Sequence, residues 1–159
     1  MWSKRKQMKT YYNDDEESKI DLINEPAFSY GSPTTNTQYF LINQIQHGIS
    51  YSSFHDLQKQ SPFNIAEWSS YLHLTDRTLL RYKTENKIFE NIHAEKILEL
   101  TKLIKKGIDT FNSKENFSQW LNTVSVSLGG YKPKDLLVTS IGINIVYNEL
   151  IRIDYGVLA

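Results

Sequence analysis

From Thr37 onward the apolar residues of the chain recur at helical rather than strand spacing: Phe40, Ile45 and Ile49, then Phe54 and Leu57, then Ile65, Trp68 and Leu72. This pattern predicts short helices in succession, the second ended by Pro62. Thr75 is placed to cap a helix over residues 76–83 by offering its hydroxyl to a first-turn amide. Asn91 opens a longer helix whose face runs Ile97, Leu100, Ile104 and Ile108. Its cations Lys102, Lys105 and Lys106 are expected near the C-terminal end of the dipole, and Gly107 is expected to end or bend it. Ser113 caps a helix bearing Phe117, Trp120 and Leu121; residues 122–132, with Gly129-Gly130, read as a loop. Pro133 suits a first helical position ahead of Leu136 and Leu137.

The final segment sends two signals. Ile141, Ile143, Ile145 and Tyr147 alternate as a strand would, whereas Val146, Leu150 and Ile153 form a helical seam. A single strand would have no partner to pair with, so the segment is assigned as helix and the fold class as all-α. Residues 1–35 offer little apolar surface against the entropy of ordering, and read as a disordered arm.

Composition narrows the function. At 159 residues, with 40% hydrophobic and 23% charged residues, the chain is an ordinary globular one. Eighteen basic side chains balance eighteen acidic ones, so any nucleic-acid binding must come from a local patch, and only residues 60–106 carry net positive charge. The absence of cysteine removes disulfides, thiolate nucleophiles and Cys-based zinc sites and suits a reducing compartment. The basic N-terminal block is not followed by an apolar run of signal-peptide length, and no stretch is long enough to span a membrane. A cytoplasmic location without membrane association is expected. His47, His55, His73 and His93 lack metal-ligand spacing, and the run Asp14–Glu17 is adjacent in sequence rather than poised across a cleft. No phosphate-binding or dinucleotide glycine pattern occurs, so neither a cofactor, a metal nor an enzymatic role is expected.

Residues 63–83 carry the first functional pattern. Trp68, Leu72, Leu74, Leu79 and Tyr82 supply facing apolar positions, Ser69 is small where two helices would approach, and His73 falls at the tight turn. The segment resembles the helix-turn-helix of Xre-type regulators. There the turn usually holds glycine, so His73 would have to accept a left-handed backbone. The resemblance makes residues 76–83 a recognition helix, with Arg77, Thr78, Arg81 and Lys83 as candidate DNA contacts and Leu80 pointing outward. One such unit neutralises few phosphates, which implies a homodimer on operator DNA.

Residues 113–159 carry a second, more specific pattern: Trp120-Leu121-Asn122, Leu128-Gly129-Gly130, Lys132-Pro133, Leu136-Leu137, Thr139, Gly142, Val146, Leu150, Arg152-Ile153 and Tyr155-Gly156-Val157. In order and spacing these resemble the toxin-binding domain of Xre/MbcA/ParS-type antitoxins. The resemblance divides the chain into an arm (1–35), an Xre-like DNA-binding and dimerisation domain (36–111) and a toxin-binding domain (112–159). It implies a bacterial antitoxin that silences a RES-type, NAD-consuming toxin by steric occlusion and represses its own operon. The candidate toxin-binding residues it implies are Leu128, Gly129, Gly130, Lys132, Pro133, Asp154, Tyr155, Gly156 and Val157. Leu128 to Pro133 would shape the loop and helix start, and the terminal residues would form a hook. The alternative is a sequence-specific helix-turn-helix regulator without a toxin partner.

Overall fold

The computed structural model describes residues 42–156, so the expected N-terminal arm and Val157 lie outside the described residues. The fold is all-α, as the pattern predicts. Residues 42–47 are helical (α1), followed by α2 (Tyr51–Gln60), α3 (Ile65–Tyr71), α4 (Asp76–Glu85), α5 (Asn91–Phe111), α6 (Lys114–Asn122), α7 (Pro133–Leu136) and α8 (Ser140–Asp154).

The expected caps form at three places. Thr75 accepts the amide of Thr78, Ser113 that of Asn116, and Pro133 starts α7. Asn64 adds a reciprocal capping box, in which its Oδ1 accepts the Glu67 amide at 2.9 Å and Glu67 Oε2 accepts the Asn64 amide at 2.9 Å. The final segment is helix, with Gly142, Ile143, Val146 and Leu150 buried against the long α5. Ile141 and Ile145, which supplied the strand-like alternation, lie on its outer side.

Five local expectations are corrected. Ile49 belongs not to a helical repeat but to a two-residue strand, β1 (Ile49–Ser50), paired antiparallel with β2 (Ile88–Phe89). The pairing carries Phe89 into the core, 4.9 Å from Phe54 and 4.8 Å from Tyr82 between ring centroids. Helix α4 runs to Glu85, two residues past its expected end, and stops at left-handed Asn86. Asn91 does not cap α5 with its side chain: its own φ is +42° and the cap position falls to Glu90, which makes no side-chain cap bond.

Gly107 neither ends nor bends α5, which continues to Phe111 and stops at left-handed Asn112. Its role is close approach: a Cβ at Gly107 would lie 2.2 Å from the ring of Phe117 on α6. Lys102, Lys105 and Lys106 therefore do not sit in a terminal turn. Lys102 places its ammonium 4.6 Å from the centre of the Tyr147 ring on α8, and Lys106 is buried. A similar approach occurs at Gly142, where a Cβ would collide with the Leu136 carbonyl and force α7 away from α8.

The buried residues make one continuous cluster. Trp68, Phe54 and Phe89 lie at the helix-turn-helix end, and Phe117, Val146 and Leu150 at the other, joined through Ile97, Leu100, Leu103 and Ile104 of α5.

A helix-turn-helix and an exposed apolar face

Helices α3 and α4 are joined by a turn in which His73 has φ +54°, the left-handed conformation expected of it. The turn is closed by backbone bonds from the His73 amide to the Ser70 carbonyl (3.1 Å) and from the Leu74 amide to the Ser69 carbonyl (2.9 Å). Trp68, Leu72 and Leu79 are buried in its crossing, and the Trp68 indole donates to Ser61 Oγ at 3.0 Å. Ser69 is buried at the approach with its hydroxyl unpaired among the described residues, as befits a position chosen for size.

On the outer side of α4, Arg77 and Arg81 are exposed and a single helical turn apart, with Leu80 54% exposed between them. Lys83 is exposed too, but on an ideal helix lies about 120° around from Arg77, so it faces elsewhere. Thr78 is half-buried and its hydroxyl lies 2.9 Å from Thr75 Oγ1, within the cap of α4. Helix α4 thus places Arg77 and Arg81 on one face, with Thr78 three residues before Arg81 and its hydroxyl engaged in the cap, and turns Lys83 away from Arg77.

The second candidate surface belongs to the segment after α5. The loop from Thr123 to Lys132 is a compact turn closed by a bridge between Ser125 and Tyr131, with Gly129 and Gly130 at φ +70° and +82°. Only glycine takes two successive residues of that kind without strain. Leu128 is 8% exposed and Pro133 is buried, so these two hold the loop to the core. Lys132 is half-buried; Gly129, Gly130, Tyr155 and Gly156 are exposed. Asp154 is exposed as well, its side chain 33% so, and forms an ion pair with Lys106 of α5.

Beside them, further outward-facing residues were not singled out from the sequence: Val124, Val126 (91% exposed) and Tyr131 on the loop, with Ile141 (75%) and Ile145 on α8. Ser127 Oγ donates to Glu149 Oε1 at 2.6 Å, and Glu149 Oε2 accepts from Arg152 at 3.1 Å, which pins the loop beside α8 one turn beyond Ile145. Two signals for this face were present in the sequence. Val124 and Val126 interrupt a polar loop, and Ile141 and Ile145 lie four apart off the Val146–Leu150 seam. Exposed apolar residues carried on a helix and on a loop tied to it are a candidate protein-binding surface.

Buried polar groups tie the parts together. The Tyr71 hydroxyl donates to the Lys134 carbonyl at 3.3 Å, and Lys134 lies 3.8 Å from the Glu67 carboxylate, joining α3 to α7. Burial, aided by the charges of Glu67 and Asp135, raises the Tyr71 pKa well above its ordinary 10.0. Burial lowers the pKa of Lys96 and of Lys106, opposed by Glu99 and Asp109 respectively. Among the described residues no group of His, Cys, Asp or Glu is arranged to hold a metal ion, and no helix is long and apolar enough to cross a membrane.

The described residues form a helical protein whose C-terminal part, from the end of α5 to α8, carries exposed apolar residues on its loop and last helix. Residues 106–156 match the antitoxin Xre/MbcA/ParS C-terminal toxin-binding domain, about a third of the chain. The matched segment begins inside α5, at Lys106. Among solved structures, a chain of the M. tuberculosis MbcT-MbcA toxin-antitoxin complex is similar in fold, with a TM-score of 0.54 and 14% identity, over 69% of this chain and 96% of that one. No curated protein matches the chain.

Proposed function

We propose that the chain is an antitoxin that neutralises a RES-type, NAD-consuming toxin by laying its C-terminal face over the toxin's active-site entrance. The observation that carries the reading is the apolar face of Val126, Ile141 and Ile145 within the matched toxin-binding domain. An apolar face presented by a rigid helix and a pinned loop suits occlusion, a task that calls for no catalytic residue on this chain. The M. tuberculosis chain of similar fold is itself part of a toxin-antitoxin complex, which supports a toxin as the partner here. The test is co-expression with the product of the adjacent reading frame. Rescue of growth and a co-purifying complex are expected, and absence of both refutes the proposal.

The helix-turn-helix supports a second activity in the same protein, repression of its own operon as a cytoplasmic homodimer. Arg77 and Arg81 on one exposed face are suited to fork onto guanine edges or clamp phosphates. Specific retardation of the upstream DNA at stated salt, with a two-fold symmetric footprint, is expected. If DNA is bound specifically while no toxin is ever captured, the reading reverts to a regulator acting alone.

A further inference from the structure

Asp154 stands in the last turn of α8, where the negative end of the helix dipole disfavours an anion. Lys106 stands within α5 with its side chain 6% exposed, where an ammonium is costly unless paired. Each placement carries a cost, and the ion pair between them offsets part of both, with Asp109 also favouring the Lys106 charge. Such pairs contribute little net stability compared with apolar packing, and their best-attested use is to fix one arrangement among several.

Here the arrangement fixed is the exit of the chain from α8. Directly after Asp154 the Tyr155 amide donates to the Ile151 carbonyl at 3.1 Å, and the Gly156 amide to that of Ile153 at 3.0 Å. Gly156 then turns with φ +65°, and the Tyr155 side chain stands 80% exposed. Lys106, Asp109, Ile151, Asp154 and Tyr155 together line a cavity of about 440 Å³, open to the outside beside that ring.

We propose that Lys106 and Asp154 are a positioning pair that sets the direction in which Tyr155 and Gly156 are presented to the toxin. The proposal rests on the antitoxin reading. Neither member is a contact itself; Asp154 acts through the backbone that follows it, and Lys106 acts through Asp154.

The test uses the full chain and two variants, Lys106→Met and Asp154→Asn, with Lys106→Arg as the conservative replacement. Amide 15N relaxation of Tyr155 and Gly156 is measured on the free protein, and the dissociation rate on the complex with the co-expressed product of the adjacent reading frame. In the parent, both amides are expected near the rigid value of about 0.85; in the two variants, below about 0.6, with Lys106→Arg restoring order. Dissociation is expected to accelerate on the order of tenfold, because affinity changes at one interface fall mainly on the off-rate. Amides that stay rigid in both variants overturn the pair's role, and so does loosening that leaves the dissociation rate unchanged. Should Lys106→Met fail to fold, Asp154→Asn carries the test from the half-exposed side of the pair. If the parent itself captures no partner, the antitoxin reading fails, while the relaxation data still report on the pair.

Discussion

Replacing Gly107 by alanine sets two effects of opposite sign against each other. In a helix interior alanine is favoured over glycine by about 1 kcal/mol, so on propensity alone the variant is more stable. The new methyl, however, meets three ring atoms of Phe117 at 2.2, 2.3 and 2.5 Å, where unstrained contact begins near 3.4 Å. The ring would have to retreat by more than about 1 Å, yet it is wholly buried and packed beside Phe111 and Trp120. Overpacking on this scale costs about 1–3 kcal/mol or more, and with no escape for the ring the upper part of that range applies. A net destabilisation of about 1–2 kcal/mol results, read as a fall of roughly 3–8 °C in Tm by circular dichroism. In a Phe117→Leu background the obstruction is largely gone, and Gly107→Ala is expected to become neutral or stabilising by up to about 1 kcal/mol. If Gly107→Ala raises the Tm of the parent, or costs the same in both backgrounds, close approach is not the reason for this glycine.

Three further outcomes are expected. Ile145→Asp and Val126→Asp place a charge on exposed apolar positions, so capture of the co-expressed toxin should be lost while Tm stays within about 2 °C of the parent; retained capture would exclude this face. Arg81→Ala should weaken operator binding by about 1–3 kcal/mol and random DNA less if the side chain reads a base, whereas equal losses mark a phosphate contact. Tyr71 keeps its proton longer folded than unfolded, so its contribution to stability is intact below pH 10.0 and is lost as pH rises above it. Lys96 and Lys106, with lowered pKa values, work in the other sense and add stability as pH climbs towards 10.5. Tyr71→Phe should therefore cost about 0.5–1.5 kcal/mol near neutrality through its lost bond to Lys134, and flatten the alkaline decline in urea midpoints. An unaltered alkaline limb would contradict the assignment.

Helix type and most helix starts were legible in the sequence because they depend on neighbours a few residues away. Thr75 and Ser113 cap through their own hydroxyls, Pro133 pre-sets its φ, and the Val146–Leu150 seam outweighed the alternation of Ile141, Ile143 and Ile145. The left-handed turn at His73 followed from the resemblance to a helix-turn-helix, whose turn usually holds glycine. The ordered C-terminal pattern also pointed to the family that residues 106–156 match.

Pairings distant in sequence could not be read this way. Ile49 is a strand residue only because Phe89 reaches it, and Gly107 is a contact point only because Phe117 packs there. Lys106 lost its expected place in a terminal turn and pairs with Asp154, 48 residues further along the chain. The exposed face of Val126, Ile141 and Ile145 likewise exists only after α5 has claimed the opposite side of α8 and the loop has been tied to Glu149. Periodicity and capping are properties of a few neighbouring residues, whereas which side of a helix is left for a partner is settled by what the rest of the chain has already covered.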